Sequence, residues 1–548
     1  MAAVTAARQG ERVTLVEPGS GIGGQLIQGW LATLDMSTDA HGNPFAQGLF
    51  HEFFRDLHHD NSFDLLRAQA LLAQLLTTSG VRVQLRTRVT SVQVNAGRVK
   101  RLEFLGPAGT EALSARQVID ATDTATLAAL AGAPFTLGRS DTGLDQAQMA
   151  AGLVFRIRGA NLPVLSALVR QSHGTEDGQR SRSLSGLVGL TSGYRPSDAQ
   201  RFALRGFNAA VQQDGSLLVN ALLIYGVDGT SEASVQGAVR QGTVEAGRVV
   251  RYLRAAAPTA FGQASLGGVA PQLYIRESRH LLGQAQLSAE DVLYGRHFRD
   301  AVAVNGYPLD GQVYLPGQPP MLLGTPQPYE VPLGALIPLG FHNLLVVSQA
   351  ASFGSVAAFS ARVVPLQMTL GEAAGQASVL TGRLRLDYPT ADRNRLWTTV
   401  LRSVLRWHHG RVDAPLLPVR RPCPDRHQPG ARQAAALLRA GLMSSPYYFV
   451  GCLYLDQPET TTAFLSDLQH ASGAGRGGLM TTDAVFTSLK RATPPGQLLS
   501  VGLARTYLLQ LGLTVPPEPL SQGAPTRLLK RGEVAALRWT LLYPSASP

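Results

Sequence analysis

Lysine is almost missing from this 548-residue chain: of its 49 basic residues only Lys100, Lys490 and Lys530 are lysine, leaving 46 arginines. Charge of either sign is sparse at 16%, and the +11 balance comes with no basic run interleaved with aromatics, which argues against nucleic acid as a partner. Cysteine is scarce too. Cys423 and Cys452 have no further Cys or His at ligand spacing, so neither a metal site nor a C-x-x-C redox pair is signalled, and a disulfide between them stays open. Long apolar runs are absent: the nearest candidate, Asn343 to Phe359, is broken by Ser348, Gln349, Ser352 and Ser355, so no membrane span is expected. No signal peptide is visible. What is present is 45% hydrophobic content on a chain long enough for two or three cores.

Met1 to Arg8 (MAAVTAAR) is Ala-rich and predicts a helix, stopped by Gln9-Gly10; Arg12 to Val16 then alternates into a strand ending at Glu17. In a dinucleotide-binding βαβ unit a carboxylate at the tip of the second strand accepts from both ribose hydroxyls, about 20 residues after a G-x-G-x-x-G turn. Counting back from Glu17 puts that turn before Met1, so a first strand and glycine turn of about 15 residues are expected upstream. Without that strand, neighbouring strand edges lack a partner, and weak cofactor retention and low stability are expected of residues 1–548 alone.

Glycines at Gly19 to Gly24 follow directly and allow backbone amides to approach a phosphate or ring closely. A polar, His-bearing stretch from Trp30 to Asn61 precedes a helix at Phe63 to Thr77. Val81 to Val94 and Val99 to Phe104 alternate around Asn95-Ala96-Gly97, a hairpin pattern. Val118 to Thr122 predicts a short buried strand leading to a helix at Leu127 to Ala131. Strand-rich texture from about Leu153 to Gly229 fits an inserted substrate domain, and a helix from Ala233 to Ala257 returns the chain. Later come Tyr274 to Gly283, a helix capped by Ser288, the loop Asn305 to Pro308, an extended Pro328 to Pro332 and a buried strand at Asn343 to Val347. A small-residue loop at Ala350 to Ala358 then precedes a helix starting near Pro365, whose free amides and positive dipole end suit an anionic or polar ligand edge. Gly371 and Gly375 predict close packing of that helix on its sheet.

In this order, the pieces resemble FAD-dependent oxidoreductases with a glutathione-reductase-like FAD fold, from about Met1 to Leu380. Glu17 matches the ribose-binding Glu and Gly23-Gly24 the flavin-facing pair. Asp120-Ala121-Thr122-Asp123-Thr124 is similar to the family's Asp-Ala-Thr-Gly-Asp, with Asp123 in place of glycine. Arg276-Glu277-Ser278-Arg279-His280 is similar to Arg-Glu-Thr-Arg-Arg, Tyr329 to Pro332 to Tyr-x-Ile-Pro, and Ser360 to Gly375 to the closing block, although Ser348-Gln349 stands where the family often has Gly-Arg.

The resemblance implies an α/β fold: a Rossmann-like FAD-binding domain (1–145 and 271–382), an inserted β-rich substrate domain (146–270) and a mainly helical C-terminal region (383–548). It implies FAD held by Glu17, Gly23, Gly24, Val89, Ala121, Thr122, Asp123, Arg362, Pro365 and Gly371. The flavin would do the redox chemistry, with protein groups orienting it and a small molecule. Arg276 and Arg279 offer planar donors to an anion, His280 can move a proton near neutral pH, and Tyr307 can donate a hydrogen bond. No confident general base is offered, and His408-His409 lies past the apparent domain end. In the tail, behind a Pro- and Arg-rich segment at Ala414 to Pro429, Ala431 to Leu442, Thr481 to Ala492 and Lys530 to Leu542 recur about 49 to 50 residues apart. The third resembles the leading helix of S-layer-homology repeats, which implies a cell-wall glycan partner. Two readings stand: an FAD oxidoreductase located in the cytoplasm, or at the envelope if an upstream signal peptide exists, and a non-catalytic envelope polysaccharide-binding protein on a degenerate flavin fold.

Overall fold

The structure is a computed structural model and describes residues 1–39, 42–55, 57, 62–173, 182–318, 320–389, 423–443, 451–473, 483–517, 519–520 and 524–543. Helix α1 (Ala2–Arg8) leads into β1 (Thr14–Glu17), and a glycine turn opens the short α2 (Gly24–Ile27). Helix α3 (Leu65–Thr78) starts where the Asp64 carboxylate accepts from the amides of Leu66 (3.1 Å) and Arg67 (3.2 Å), satisfying donors that have no intrahelical partner. Its end returns the chain as β2 (Arg82–Leu85), parallel to β1 with Glu17 opposite Leu85.

The single long strand expected from Val81 to Val94 is broken at Arg86, whose φ of 52° turns the backbone out of the extended region. Beyond the break, β3 (Arg88–Asn95), β4 (Arg98–Gly106) and β5 (Gly109–Leu113) form an antiparallel meander. Its first turn places both Ala96 and Gly97 at positive φ, the geometry that matches strand twist in a two-residue hairpin. Strand β6 (Val118–Asp120) runs into α4 (Thr126–Leu130).

The substrate-side sheet contains β7 (Ala151–Arg158), β8 (Ser183–Gly186), β9 (Phe202–Leu204), β10 (Phe207–Val211), β11 (Leu217–Ile224) and β12 (Ser265–Val269), in the order β12-β7-β11-β10-β8 with β9 also on β11. Every residue of β11 is buried, because the sheet is covered on both faces. Leu217, Val219 and Ala221 join the core under α5 (Glu232–Ala256), while Leu218 packs toward α2 and α3. A register shift between Val219 and Leu222 interrupts this alternation, and Asn220 sits inside it.

The chain continues through α6 (Ala289–Leu293), which carries a reciprocal Ser288–Asp291 cap. It returns as β13 (Leu344–Val346), parallel to β6. The parallel strands therefore form two pairs, β1 with β2 and β6 with β13, and no described strand pairs the one with the other. Ser355 to Ala361, part of which was expected as loop, is a helix, α7. Its small residues are wholly buried, and the Asp141 carboxylate caps it by accepting from the Ser355 amide at 2.8 Å. After Arg362 the chain starts α8 (Val364–Leu384). Gly371 and Gly375 make α8 pack closely, but on α1 rather than on a sheet: a Cβ at Gly375 would lie 2.5 Å from the Ala2 carbonyl oxygen.

The described tail is helical: α9 (Ala431–Arg439), α10 (Thr461–Gly473), α11 (Asp483–Ala492), α12 (Val501–Gln510) and α13 (Arg531–Leu542). It does not stand apart as expected, since Leu437, Phe464 and Leu537 belong to the same buried cluster as Met321, Phe359 and Leu366. Antiparallel bridges Pro458 to Lys530, Thr460 to Leu498 and Ser500 to Leu528 tie together the starts of α10, α12 and α13, and α13 also packs on α9. Cys423 and Cys452 form a disulfide. No described helix is long and apolar enough to cross a membrane. His408, His409, residues 414–422 of the Pro- and Arg-rich segment and Thr481 lie outside the described residues.

Candidate functional site

The segment 272–276 organises the site. Leu273 and Ile275 join the core under α5, while Tyr274 and Arg276 line a cleft. The Ile275 carbonyl accepts from Gln25 Nε2 on α2 (2.9 Å) and from Gln349 Nε2 after β13 (2.7 Å), so the two cofactor regions expected from sequence meet on one carbonyl. Gln272 Nε2 donates to Asp123 at 2.5 Å, and its amide donates to the Gln28 carbonyl at 3.1 Å.

At the β1 tip, Glu17 Oε1 accepts from the Gly19 amide at 2.6 Å, and burial raises the Glu17 pKa. Gly23 takes φ 103°, and a Cβ there would sit 2.4 Å from Ile27 Cγ1, so only glycine fits; beside it Gly24 has φ 46° and faces open space. Asp120 fixes the next loop, accepting from the Thr122 amide and hydroxyl and from the Ala128 amide. Burial pushes the Asp123 carboxyl up to about 6, with Glu17 adding like-charge repulsion and hydrogen bonds from Gln25 and Gln272 opposing the shift.

Beyond Tyr274 a cleft of about 100 Å³ opens between the substrate-side sheet, the loop 305–312 and the start of α8. Arg205, Arg276 and Arg362 line it together with Asp35 and Asp310. Each guanidinium is tethered to neutral acceptors. Arg276 Nη1 donates to the Ala150 carbonyl (2.8 Å) and Nη2 to Asn220 Oδ1 (3.3 Å), with its plane over the Tyr274 ring at 4.2 Å. Arg362 donates to Tyr274 Oη (2.7 Å) and the Asp310 carbonyl (3.0 Å), and Arg205 to the Asn220 carbonyl (3.2 Å). The Nε–H groups of Arg205 and Arg362 are buried without an acceptor among the described residues. Desolvation, with Arg205 and Arg362 adding repulsion against the attraction of Tyr274 and Asp310, lowers the Arg276 pKa to about 9. A desolvated set of three cations facing two carboxylates favours an added anion.

Of the residues expected to touch substrate, Arg276 and Tyr307 line this cleft, joined by Arg362 from the cofactor set. Arg279 and His280 do not. His280 is buried behind the cleft, with Nε2 3.0 Å from Glu277 Oε1, and Glu277 is further held by the Tyr314 hydroxyl (3.2 Å) and the Met149 amide (2.9 Å). Burial opposes its charged form, but the Glu277 hydrogen bond and charge prevail and the His280 pKa rises. Arg279 lies over the Phe135 ring at 5.5 Å. The Tyr307 hydroxyl already donates to Asp310 at 3.0 Å, and burial raises its pKa. Val89 joins Val16 at the margin of a core cluster, Ala121 is exposed, and Pro365 sits in the first turn of α8. Gly371 faces α1, a packing position. Sequence reasoning missed Asp35, Arg205, Asn220, Tyr274, Asp310 and Gln312. Asn220 carried a signal, one polar residue inside the apolar run Leu217 to Ile224.

The donor set fits an FAD. One Glu17 oxygen has no hydrogen bond among the described residues, the backbone at Gly24 faces open space, and the first turn of α8 borders the cleft, so these groups would suit ribose hydroxyls and a polar cofactor edge. Fold and site together define a nucleotide-binding α/β enzyme with a polar cleft against its substrate-side sheet. The family model described as FAD dependent oxidoreductase matches residues 1–394, and the chain belongs to that family. Similar solved structures include p-nitrophenol 4-monooxygenase from Pseudomonas putida DLL-E4 (11% identity, 75% of this chain and 86% of that one, TM-score 0.34). A geranylgeranyl bacteriochlorophyll reductase-like protein from Thermoplasma acidophilum is 11% identical over 73% of this chain and 80% of its own, with TM-score 0.37. A myxobacterial FAD-dependent chondrochloren halogenase is 13% identical over 74% and 76%, with TM-score 0.36. No curated protein matches the chain.

Proposed function

We propose that this FAD-dependent oxidoreductase transfers a hydride or electron pair to or from a small anionic molecule held by Arg205, Arg276 and Arg362. The observation that supports it is the convergence of three desolvated guanidiniums, none paired with a carboxylate side chain among the described residues, on one cleft that borders the start of α8. When bound, FAD supplies the electron-pair chemistry. Glu17, Gly23, Gly24 and the first turn of α8 hold it. Arg276, fixed by Ala150, Asn220 and Tyr274, presents a planar fork already oriented for a carboxylate, so little side-chain freedom is lost on binding. Tyr307, committed as donor to Asp310, still offers its oxygen as an acceptor.

Titration of succinate into the FAD-loaded protein tests this, read as a perturbation of the flavin's visible bands. Saturable binding is expected, weakened about 10- to 100-fold by Arg276→Gln, as for loss of hydrogen bonds to a charged group. An equal response to the neutral diamide, unchanged by Arg276→Gln, overturns the proposal.

A second role, for the tail, rests on the three-way joining of the starts of α10, α12 and α13. In this reading the tail binds a cell-wall glycan, and the Cys423–Cys452 bridge favours an oxidising envelope compartment over the cytoplasm. Cosedimentation of the full chain with purified cell-wall sacculi is expected; recovery only in the supernatant contradicts it.

A further inference from the structure

We propose that Asp35 recognises a hydroxyl or ammonium group next to the anionic group of the substrate, so that the cleft selects small hydroxy- or amino-carboxylates over plain carboxylates. The inference rests on the anionic-substrate reading above and deepens it.

Both carboxylates of the cleft face the same cations, yet they are in different situations. Asp310 is engaged, accepting from the Tyr307 hydroxyl while its backbone carbonyl takes Arg362. Asp35 has no hydrogen bond and no ion pair with any described residue. The guanidiniums that could have neutralised it are tied instead to the carbonyls of Ala150, Asp310 and Asn220, to the Asn220 side chain and to Tyr274. They keep their charge for a ligand, and Asp35 keeps both oxygens for one. Tyr307 and Asp310 add no donor to this point, because the phenol proton lies between them.

An acceptor-only carboxylate beside a carboxylate-binding fork defines a two-point site. The fork takes the anionic group, and Asp35 takes a group that carries a proton. A plain carboxylate leaves Asp35 without a partner and meets its repulsion, whereas a neighbouring hydroxyl or ammonium removes both costs. The surroundings also suit Asp35 to accept that proton. Asp35 is exposed in the free protein, and desolvation by the cleft walls still raises its pKa, with Asp310 adding to the rise while Arg362, Arg205 and Arg276 oppose it.

Paired probes test this on the FAD-loaded full chain by isothermal titration calorimetry: malate against succinate, and alanine against propionate. We expect malate and alanine to bind at least about 10-fold tighter than their partners, as for one hydrogen bond to a charged group. Asp35→Ala should bring each ratio to about one while succinate binds as well as before or better. Asp35→Asn, which keeps the shape, should abolish the preference for alanine, and it carries the test should Asp35→Ala fail to fold. Equal affinities within both pairs in the wild type, or ratios unchanged in both variants, overturn the role of Asp35 and leave the anionic reading standing. Absence of binding by all four probes overturns the anionic reading and this one with it.

Discussion

Two carboxylates near the β1 tip have opposite duties. On the proposed reading Glu17 holds the cofactor through the oxygen that the Gly19 amide leaves unengaged, and Glu17→Ala is expected to weaken FAD binding about 10- to 100-fold, measured by fluorescence of released flavin. Asp123 is a liability held by Gln25 and Gln272. With its folded pKa near 6 above the ordinary 3.8, the folded state binds the extra proton, so stability is fully retained below about pH 4 and falls as pH rises toward 6. Asp123→Asn should therefore raise the thermal midpoint by a few degrees at pH 7 and hardly at all at pH 4, read by scanning fluorimetry across that range. A gain that is the same at both pH values contradicts it. Arg276 and Tyr307, singled out from local patterns in the sequence, do line the cleft, as does Arg362, which was expected beside the cofactor instead. Asp35 and Arg205 were not singled out. They reach the cleft from segments more than a hundred residues apart, joined only by the packing of the substrate-side sheet on α2 and α3.

Among elements, α4 starts under strain. Its N-cap, Ala125, is fully buried at φ 49°, a region that costs an L-residue about 1–2 kcal/mol. Ala125→Gly is expected to stabilise the protein by about 0.5–1 kcal/mol, the usual gain when a residue is matched to its backbone conformation, less the added freedom of glycine when unfolded. Chemical denaturation checks this, and a loss of stability contradicts it. Elements with strong periodicity or caps, such as α3 and α5, were readable from sequence within a residue or two, and the turn of the β3–β4 hairpin was placed at Asn95-Ala96-Gly97 although the start of β3 was not. Helix α7 was not: its seven residues, Ser-Val-Ala-Ala-Phe-Ser-Ala, are buried on every side and show no polar face to mark a 3.6-residue period. The break after β2 was equally silent, because Arg86 gives no local sign of a positive φ.

On the scale of the whole molecule, the tail and the FAD-binding region share one apolar cluster, which composition alone could not reveal. Leu437→Ala on α9 removes a fully buried side chain and should cost about 2–5 kcal/mol. Flavin release and loss of helical signal should then move together to lower temperature; an unchanged flavin-release midpoint would mean that the two regions unfold independently. Reducing the Cys423–Cys452 bridge, which closes a loop across 29 positions, should cost about 3 kcal/mol and lower the same midpoint. The decisive measurement is a crystal structure of the FAD-loaded protein soaked with succinate. We expect the adenosine ribose at Glu17, the flavin ring bordering the cleft, and a succinate carboxylate on Arg276. A flavin bound away from the cleft, or succinate bound elsewhere with Arg205, Arg276 and Arg362 untouched, would contradict this site.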